Sequence, residues 1–173
     1  MASDMLAALA TRVGAALKAK GLMLAAAESC TGGWVAQAVT AIAGSSDWFE
    51  RGYVTYSDAA KQDMLGVRAE SLARHGAVSE EVAREMAAGA LANSRAQVAL
   101  AITGIAGPGG GSPEKPVGTV CFAWAVTAGA SSTQTRYFDG DRESVRRQSV
   151  TVALQGVLEM LEADSDSASR PLI

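Results

Sequence analysis

The stretch AAAESCTGGW, residues 25–34, places an acid, a serine, a cysteine and a threonine directly after an apolar run. Ser29 stands where a buried strand would give way to a helix opened by Gly32 and Gly33. The first N–H groups of a helix lack partners within it and lie at the positive end of its dipole, so they can bind an oxyanion or a phosphate. Such a serine resembles a strand-turn-helix nucleophile, although the sequence is not G-x-S-x-G. The alternative is that Ser29 or Thr31 only caps the helix.

A serine hydroxyl needs a base to become a nucleophile, and two side chains are candidates. His75 is the only histidine, and it lies in LARHGAVS, a turn-like stretch that favours a surface histidine over a Ser-His-Asp triad. Lys61 follows the second predicted strand in TYSDAAK, one helical turn beyond Ser57. A lysine becomes a base where burial lowers its pKa below the usual value of ~10.4, as in known Ser-Lys pairs. The alternative is a solvated Lys61 paired with Asp58 or Asp63.

The segment ITGIAGPGGGSPEKPVG, residues 102–118, contains too much Gly and Pro for a helix or a strand. Its amides can approach an anion closely, but no Gly-Lys-Ser/Thr ends it, which excludes a Walker A site. Because Thr103 and Gly104 directly follow a core strand, we interpret this segment, with Gly107, as a binding loop; a flexible linker is the alternative. Arg142 begins the last predicted helix, where its charge opposes the helix dipole. That position suggests an anion or carboxylate ligand, with a solvated arginine as the alternative.

The composition narrows the class of protein. A length of 173 residues suits one compact domain. The net charge of −3 and the absence of long Lys/Arg runs argue against a nucleic-acid partner. Two cysteines and one histidine exclude a zinc site with several Cys and His ligands, and we expect neither a metal nor a cofactor. No apolar run approaches the ~20 residues of a membrane span, and the N-terminus lacks a secretion-signal pattern. We therefore expect a cytoplasmic protein without a membrane partner.

Helical and strand patterns alternate along the chain. Apolar spacing predicts helices over 3–19, 32–42, 58–65, 79–93 and 141–161. Apolar and β-branched runs predict strands over 22–27, 49–57, 96–103, 119–127 and 132–140. This order predicts an α/β fold, namely a three-layer α/β/α sandwich with a mixed, mostly parallel sheet of about five or six strands. We expect a single domain over 1–163 and a disordered tail over 164–173.

Polar residues follow three of the predicted strands, after positions 27, 56 and 103. Ligand sites in sheets of this type gather at the carboxyl ends of the strands. We therefore expect the segments that carry Ser29, Lys61 and Thr103 to converge at one edge of the sheet.

Five sequence blocks stand in a fixed order: AESCTGG, GYVTYSDAAKQDMLGV, GAVSEEVAREMAAGA, ITGIAGPGGGSPEKPVGTV and FDGDRESVRR. Together they closely resemble the C-terminal domain of the CinA family, over about residues 5–162. The resemblance implies a three-layer α/β/α fold with a mixed sheet. It also implies nicotinamide mononucleotide (NMN) amidohydrolase activity, which releases ammonia and gives nicotinate mononucleotide in pyridine-nucleotide recycling. A homo-oligomer, a dimer or larger, is implied as well.

For the site, the resemblance implies a Ser-Lys pair without a metal, with Ser29 as nucleophile, Lys61 as base and Tyr56 as a further catalytic residue. The implied substrate-binding residues are Thr31, Gly32, Gly33, Thr103, Gly104, Gly107 and Arg142. Cys30 is a rival nucleophile beside Ser29. An alternative function from another class is a non-catalytic nucleotide- or partner-binding module in a competence or DNA-damage response.

Overall fold

The structure is a computed structural model that describes residues 1–168. In that part of the chain the helices are Ala2–Ala19 (α1), Trp34–Thr40 (α2), Asp58–Leu65 (α3), Ala69–His75 (α4), Glu80–Ala92 (α5) and Arg142–Ala168 (α6). The strands are Leu24–Glu28 (β1), Phe49–Val54 (β2), Val98–Gly104 (β3), Thr119–Val126 (β4) and Ser131–Tyr137 (β5).

The strands form one sheet in the order β2-β1-β3-β4-β5. β1 pairs in parallel with both β2 and β3, while β4 is antiparallel to β3 and to β5. Four of the strands therefore run in the same direction and β4 alone opposes them within the described residues. The predicted mixed, mostly parallel sheet is confirmed.

The two faces of the sheet carry side chains of different size. On β1, Leu24 and Ala26 belong to a core formed with α1, α2 and α6, whereas Ala25 and Ala27 belong to a second core formed with α5. The neighbouring strand β3 repeats the pattern, with large apolar side chains on the first face and alanines on the second. Because side chains alternate across a strand, both faces are covered and three layers result.

The short helix α4 was not predicted from the sequence. α4 occupies Ala69–His75, and its second half lies in LARHGAVS, the stretch that the sequence presents as turn-like. Its N-cap residue, Arg68, makes no side-chain capping hydrogen bond, and the helix is only two turns long. Because neither a cap nor a repeated apolar face marks such a short helix, packing against α5 decides its structure.

Two element ends also differ from the predicted ones. β2 ends at Val54 rather than at 57, and the carbonyls of Thr55 and Tyr56 accept hydrogen bonds from Lys61 instead of extending the strand. α6 continues to Ala168, past the predicted end at 161 and into the expected tail. Positions 169–173 of that tail lie outside the described residues.

No helix within residues 1–168 has both the length and the apolar character that crossing a bilayer requires.

Candidate active site

Ser29 and Lys61 meet at the carboxyl end of the sheet. Ser29 directly follows β1, and Lys61 lies on α3, which follows β2. The Lys61 Nζ lies 3.0 Å from the Ser29 Oγ. Both side chains are buried, since Lys61 is 1% and Ser29 8% exposed. The structure therefore joins the predicted nucleophile and the predicted base in a direct, largely desolvated hydrogen bond.

Two backbone carbonyls hold the Lys61 amine in place. Its Nζ donates to the carbonyl oxygens of Thr55 at 2.9 Å and Tyr56 at 3.3 Å. Ser57 caps the helix that carries the lysine, because its Oγ accepts a hydrogen bond from the N–H of Ala60 at 3.0 Å. The pKa of Lys61 is lowered mainly by burial, while the charge of Asp58 opposes this shift. The solvated Lys61 of the alternative interpretation is therefore wrong.

A buried carboxylate fixes the turn that follows Ser29. The Glu28 Oε1 accepts hydrogen bonds from the Thr31 Oγ1 at 2.7 Å and the Val35 N–H at 2.8 Å, and its Oε2 accepts from the Ala36 N–H at 3.1 Å. Glu28 is 1% exposed. It thus caps the start of α2 from the residue before the serine, and neither Ser29 nor Thr31 is the cap acceptor that the alternative assumed.

Arg146 holds the same turn from the opposite end of the sequence. Its Nε donates to the Cys30 carbonyl at 3.0 Å, and its Nη2 donates to the Thr31 carbonyl at 3.1 Å. The guanidinium carbon lies 5.3 Å from the centre of the Trp34 ring, in cation–π geometry. Sequence reasoning missed both Glu28 and Arg146. The only available signal was the acid directly before the serine.

The three residues expected to bind substrate just after Ser29 have other partners. Thr31 is fully buried, and its hydroxyl donates to Glu28 rather than to a ligand. The N–H of Gly32 donates to the Ser29 carbonyl at 3.0 Å. Gly32 and Gly33 adopt φ values of 59° and 102°, which suit glycine because they lie in the left-handed region. The three residues shape the turn, and none of them is among the residues that line the cleft.

The glycine-rich loop forms another wall of the cleft. Thr103, Gly104 and Gly107 all line it, beside Ser29. The Thr103 hydroxyl donates to the Ala77 carbonyl at 2.8 Å, so its interaction in this structure is with the backbone. The cleft has a volume of about 260 Å³, close to the lower end of the ~300–1,000 Å³ typical of small-molecule sites.

Arg142 and Tyr56 lie at the cleft and contact each other. The Arg142 Nη2 donates to the Tyr56 hydroxyl at 3.2 Å, and its Nη1 donates to the Gly107 carbonyl at 2.7 Å. Tyr56 remains 63% exposed. Arg142 therefore joins the segment after β2 to the glycine-rich loop, and its placement at the start of α6 serves these contacts.

Comparison with known proteins places this chain in a family. The family model of the CinA C-terminal domain matches residues 6–161. The chain belongs to the CinA C-terminal domain family. This confirms the resemblance carried by the five sequence blocks.

Two relatives of the same name are similar to this CinA domain over nearly their whole length, and a longer one is similar over part of its length. "Nicotinamide-nucleotide amidohydrolase PncC" of Escherichia coli (strain K12) is 59% identical over 155 residues, which cover 90% of this chain and 94% of that protein. The protein of the same name from Pseudomonas putida is 52% identical over 157 residues, covering 91% and 98%. A "CinA-like protein" of Syntrophobacter fumaroxidans is 53% identical over 154 residues, which cover 89% of this chain but 36% of that longer protein.

Solved structures share the fold of this CinA domain. The competence/damage inducible protein CihA from Agrobacterium tumefaciens is 49% identical with a TM-score of 0.87, and the match covers 91% of this chain and 95% of that one. A CinA superfamily protein from Klebsiella pneumoniae is 46% identical with a TM-score of 0.88, covering 91% and 98%.

Cys30 is the rival nucleophile to Ser29, and His75 is the rival base to Lys61. Cys30 lines the cleft, but burial raises the pKa of its thiol to about 12, so the thiol stays protonated at neutral pH. His75 ends α4, where its Nδ1 is 3.9 Å from Glu81 Oε1 and its carbonyl accepts a hydrogen bond from Lys115. The structure gives neither residue the contact with Ser29 that Lys61 has.

Proposed function

We propose that this protein hydrolyses the carboxamide of NMN to nicotinate mononucleotide and ammonia by a Ser-Lys mechanism. The observation that carries the proposal is the 3.0 Å contact between the Lys61 Nζ and the Ser29 Oγ, made by a buried lysine whose pKa is lowered. The names of the PncC relatives, which are 52–59% identical to this chain, supply the substrate class. The cleft is of a size that suits a small molecule.

The contacts of Lys61 match what a neutral amine needs to act as a base. An uncharged amine has two N–H groups and one lone pair. The carbonyls of Thr55 and Tyr56 accept the two N–H groups, and the Ser29 hydroxyl is the remaining neighbour. In the neutral form the lone pair of Lys61 therefore accepts the Ser29 proton. Burial favours this form because it penalises the ammonium.

In the first half of the reaction, the Ser29 Oγ attacks the carboxamide carbon while its proton moves to the Lys61 Nζ. Backbone N–H groups of residues that line the cleft, such as Cys30, stabilise the oxyanion of the tetrahedral intermediate, a contribution of about 3 kcal/mol per donor in comparable enzymes. The intermediate breaks its C–N bond, and the departing nitrogen takes a proton from Lys61. Tyr56 is a second proton donor at the cleft. An acyl-enzyme on Ser29 and a molecule of ammonia result.

In the second half, a water molecule attacks the acyl carbon and gives a proton to Lys61, and the bond to the Ser29 Oγ breaks. The serine regains its proton, and nicotinate mononucleotide leaves as the carboxylate while ammonia leaves protonated. The glycine-rich loop from Gly104 to Gly110, with Arg142, lies in the cleft wall where the ribose phosphate would be held. Arg142 would then exchange a backbone or tyrosine partner for the phosphate.

The proposal is tested by incubating the protein with NMN and measuring ammonia. Ser29→Ala and Lys61→Met should each lower turnover by at least about 10³-fold, because each removes a partner of the proton transfer. Ser132→Ala and Lys18→Met are matched controls, since both positions are exposed and lie away from the cleft. Near-normal turnover in either cleft variant would rule out the mechanism. Tight binding of NMN without any product would instead favour the non-catalytic binding module.

The homo-oligomer and the cytoplasmic location implied earlier stay predictions. Light scattering of the purified protein tests the first, and cell fractionation tests the second.

A further inference from the structure

Arg146 makes two parallel contacts with consecutive carbonyls of the turn after Ser29. Its Nε lies 3.0 Å from the Cys30 oxygen, and its Nη2 lies 3.1 Å from the Thr31 oxygen. Arginine suits this task because its planar guanidinium presents several N–H groups at fixed angles, whereas lysine offers a single point of donation. The guanidinium carbon also lies over the Trp34 ring, 5.3 Å from its centre.

These contacts fix the direction of the amide groups in the turn. A trans peptide is planar, and its C=O and N–H point in opposite directions. The Cys30 carbonyl shares a peptide with the Thr31 N–H, so a carbonyl directed at Arg146 turns that N–H away from α6. The next peptide follows the same rule: the Thr31 carbonyl faces Arg146, and the Gly32 N–H donates to the Ser29 carbonyl instead.

The turn is held from a second side as well. The Glu28 carboxylate accepts the Thr31 hydroxyl and the first N–H groups of α2. Glu28 therefore sets where the Thr31 side chain lies, while Arg146 sets how the two Thr31 peptides are rotated. With both constraints in place, rotation of the peptide between Cys30 and Thr31 would break at least one hydrogen bond to a charged group.

We propose that Arg146 is a positioning residue that holds the turn after Ser29, and with it the Ser29 hydroxyl, in the geometry from which the Oγ attacks the carboxamide carbon. The inference rests on the proposed function, because it assigns a role within that reaction. A nucleophile held in its attacking geometry lowers the barrier of the chemical step and does not strengthen substrate binding. Loss of Arg146 should therefore lower kcat and leave KM nearly unchanged.

Arg147 provides a matched control on the same helix. Its guanidinium also lies over the Trp34 ring, at 5.5 Å, but its Nη2 pairs with Glu143 rather than with the turn. We expect Arg146→Gln to lower kcat about 10- to 100-fold with KM within about threefold, as for a misplaced catalytic group. Arg147→Gln should keep both constants near those of the wild type. Arg146→Lys, which retains the charge but has one nitrogen atom in place of the two that contact the carbonyls, should fall between them, and methylguanidinium should restore part of the kcat lost in Arg146→Ala.

A second measurement does not depend on NMN. A fluorophosphonate reacts with a serine nucleophile when the Oγ–P bond forms, the P–F bond breaks with loss of fluoride, and the serine proton passes to the base. This reaction depends on the position of the same Ser29 Oγ and on the same base. The rate of phosphonylation of Ser29, followed by intact mass, should fall in Arg146→Gln by a factor similar to that of kcat, and stay unchanged in Arg147→Gln.

The outcomes separate the two proposals. Equal losses in both arginine variants, or a loss confined to KM, would overturn the role of Arg146. A wild-type protein that is phosphonylated on Ser29 but leaves NMN intact would overturn only the proposed substrate, and the reagent rates would still decide the role of Arg146. A wild-type protein in which Ser29 reacts neither with the fluorophosphonate nor with NMN would overturn the proposed function and the role of Arg146. Circular dichroism identifies a variant that fails to fold, in which case Arg146→Lys replaces it.

Discussion

Glu28→Gln is expected to destabilise the protein. The two side chains have nearly the same size, but glutamine cannot make all the hydrogen bonds that the Glu28 carboxylate makes. The carboxylate receives the Val35 N–H on one oxygen and the Ala36 N–H on the other, at 2.8 and 3.1 Å. It also receives the Thr31 hydroxyl at 2.7 Å. The substitution creates no cavity and removes no ion-pair partner of another residue. The change in stability therefore reports on these hydrogen bonds.

The magnitude follows from the number of acceptors. Glutamine offers one oxygen and one NH₂ group, and either orientation of its amide places the NH₂ group against the N–H of Val35 or of Ala36. One charge-assisted hydrogen bond is lost, and one backbone N–H is left facing another donor in a buried position. We expect a loss of about 2–4 kcal/mol in the free energy of unfolding. For a chain of this size, Tm falls by about 2–4 °C per kcal/mol.

Urea unfolding followed by circular dichroism measures this loss, with NMN hydrolysis measured in parallel on the folded protein. Since the turn bears Ser29, we expect kcat to fall about tenfold or more with the loss of stability. Glu143→Gln is the control, because Glu143 is exposed and pairs with Arg147 across one helical turn; its effect should be about 0.5 kcal/mol or less. A Glu28→Gln variant as stable as this control would refute the reasoning about the buried carboxylate.

Three further predictions concern buried positions. The pKa of Lys61 is lowered in the folded state, so at a pH below about 10.5 the unfolded chain binds more protons at this position than the folded protein does. Wild-type stability, measured relative to Lys61→Met in urea titrations, should therefore rise with pH between neutral pH and pH ~10. The Cys30 thiol, with a pKa raised to about 12, should react slowly with iodoacetamide at pH 7, and Cys30→Ala should keep kcat within about threefold. Gly89→Ala should cost about 1–3 kcal/mol in urea unfolding, because its Cβ would lie 1.9 Å from the Leu65 carbonyl oxygen.

Each of these has its own control. Lys18→Met removes an exposed lysine and should show no such gain of wild-type stability with pH; the same pH trend in both lysine variants would contradict the assignment to Lys61. Loss of activity in Cys30→Ala without loss of folding would return the thiol to the list of nucleophiles. Gly109→Ala adds a Cβ that meets nothing within 4 Å, so equal destabilisation in the two glycine variants would contradict the packing argument.

The pattern of helices and strands was largely readable from the sequence because apolar periodicity is a local signal. The runs that became β1 and β3 are short and apolar, as strands buried on both faces must be. α4 could not be read in this way, since seven residues without a side-chain cap carry too little periodic signal. The end of β2 also depends on the tertiary structure, because the carbonyls that follow the strand accept hydrogen bonds from the amine of Lys61.

The candidate site was predictable in part for the same reason. Ser29 and Lys61 follow strands and Thr103 lies at the end of β3, and parallel strands bring their carboxyl ends to one edge of the sheet. Arg146 gave no such signal, because its partner Cys30 is 116 positions away in the chain. Thr31 was expected to contact substrate, but the depth of burial turned its hydroxyl to Glu28.

By itself, the sequence determined the order of elements, the layered architecture and the residue types available at the strand ends, since each of these depends on neighbours along the chain. Only the tertiary structure decided that an amine and a hydroxyl 32 positions apart lie within 3.0 Å and out of water. Proton affinity depends on solvent exclusion and on charges in space, and both are properties of the packed molecule. The chemistry proposed for Ser29 therefore originates in the packing around Lys61.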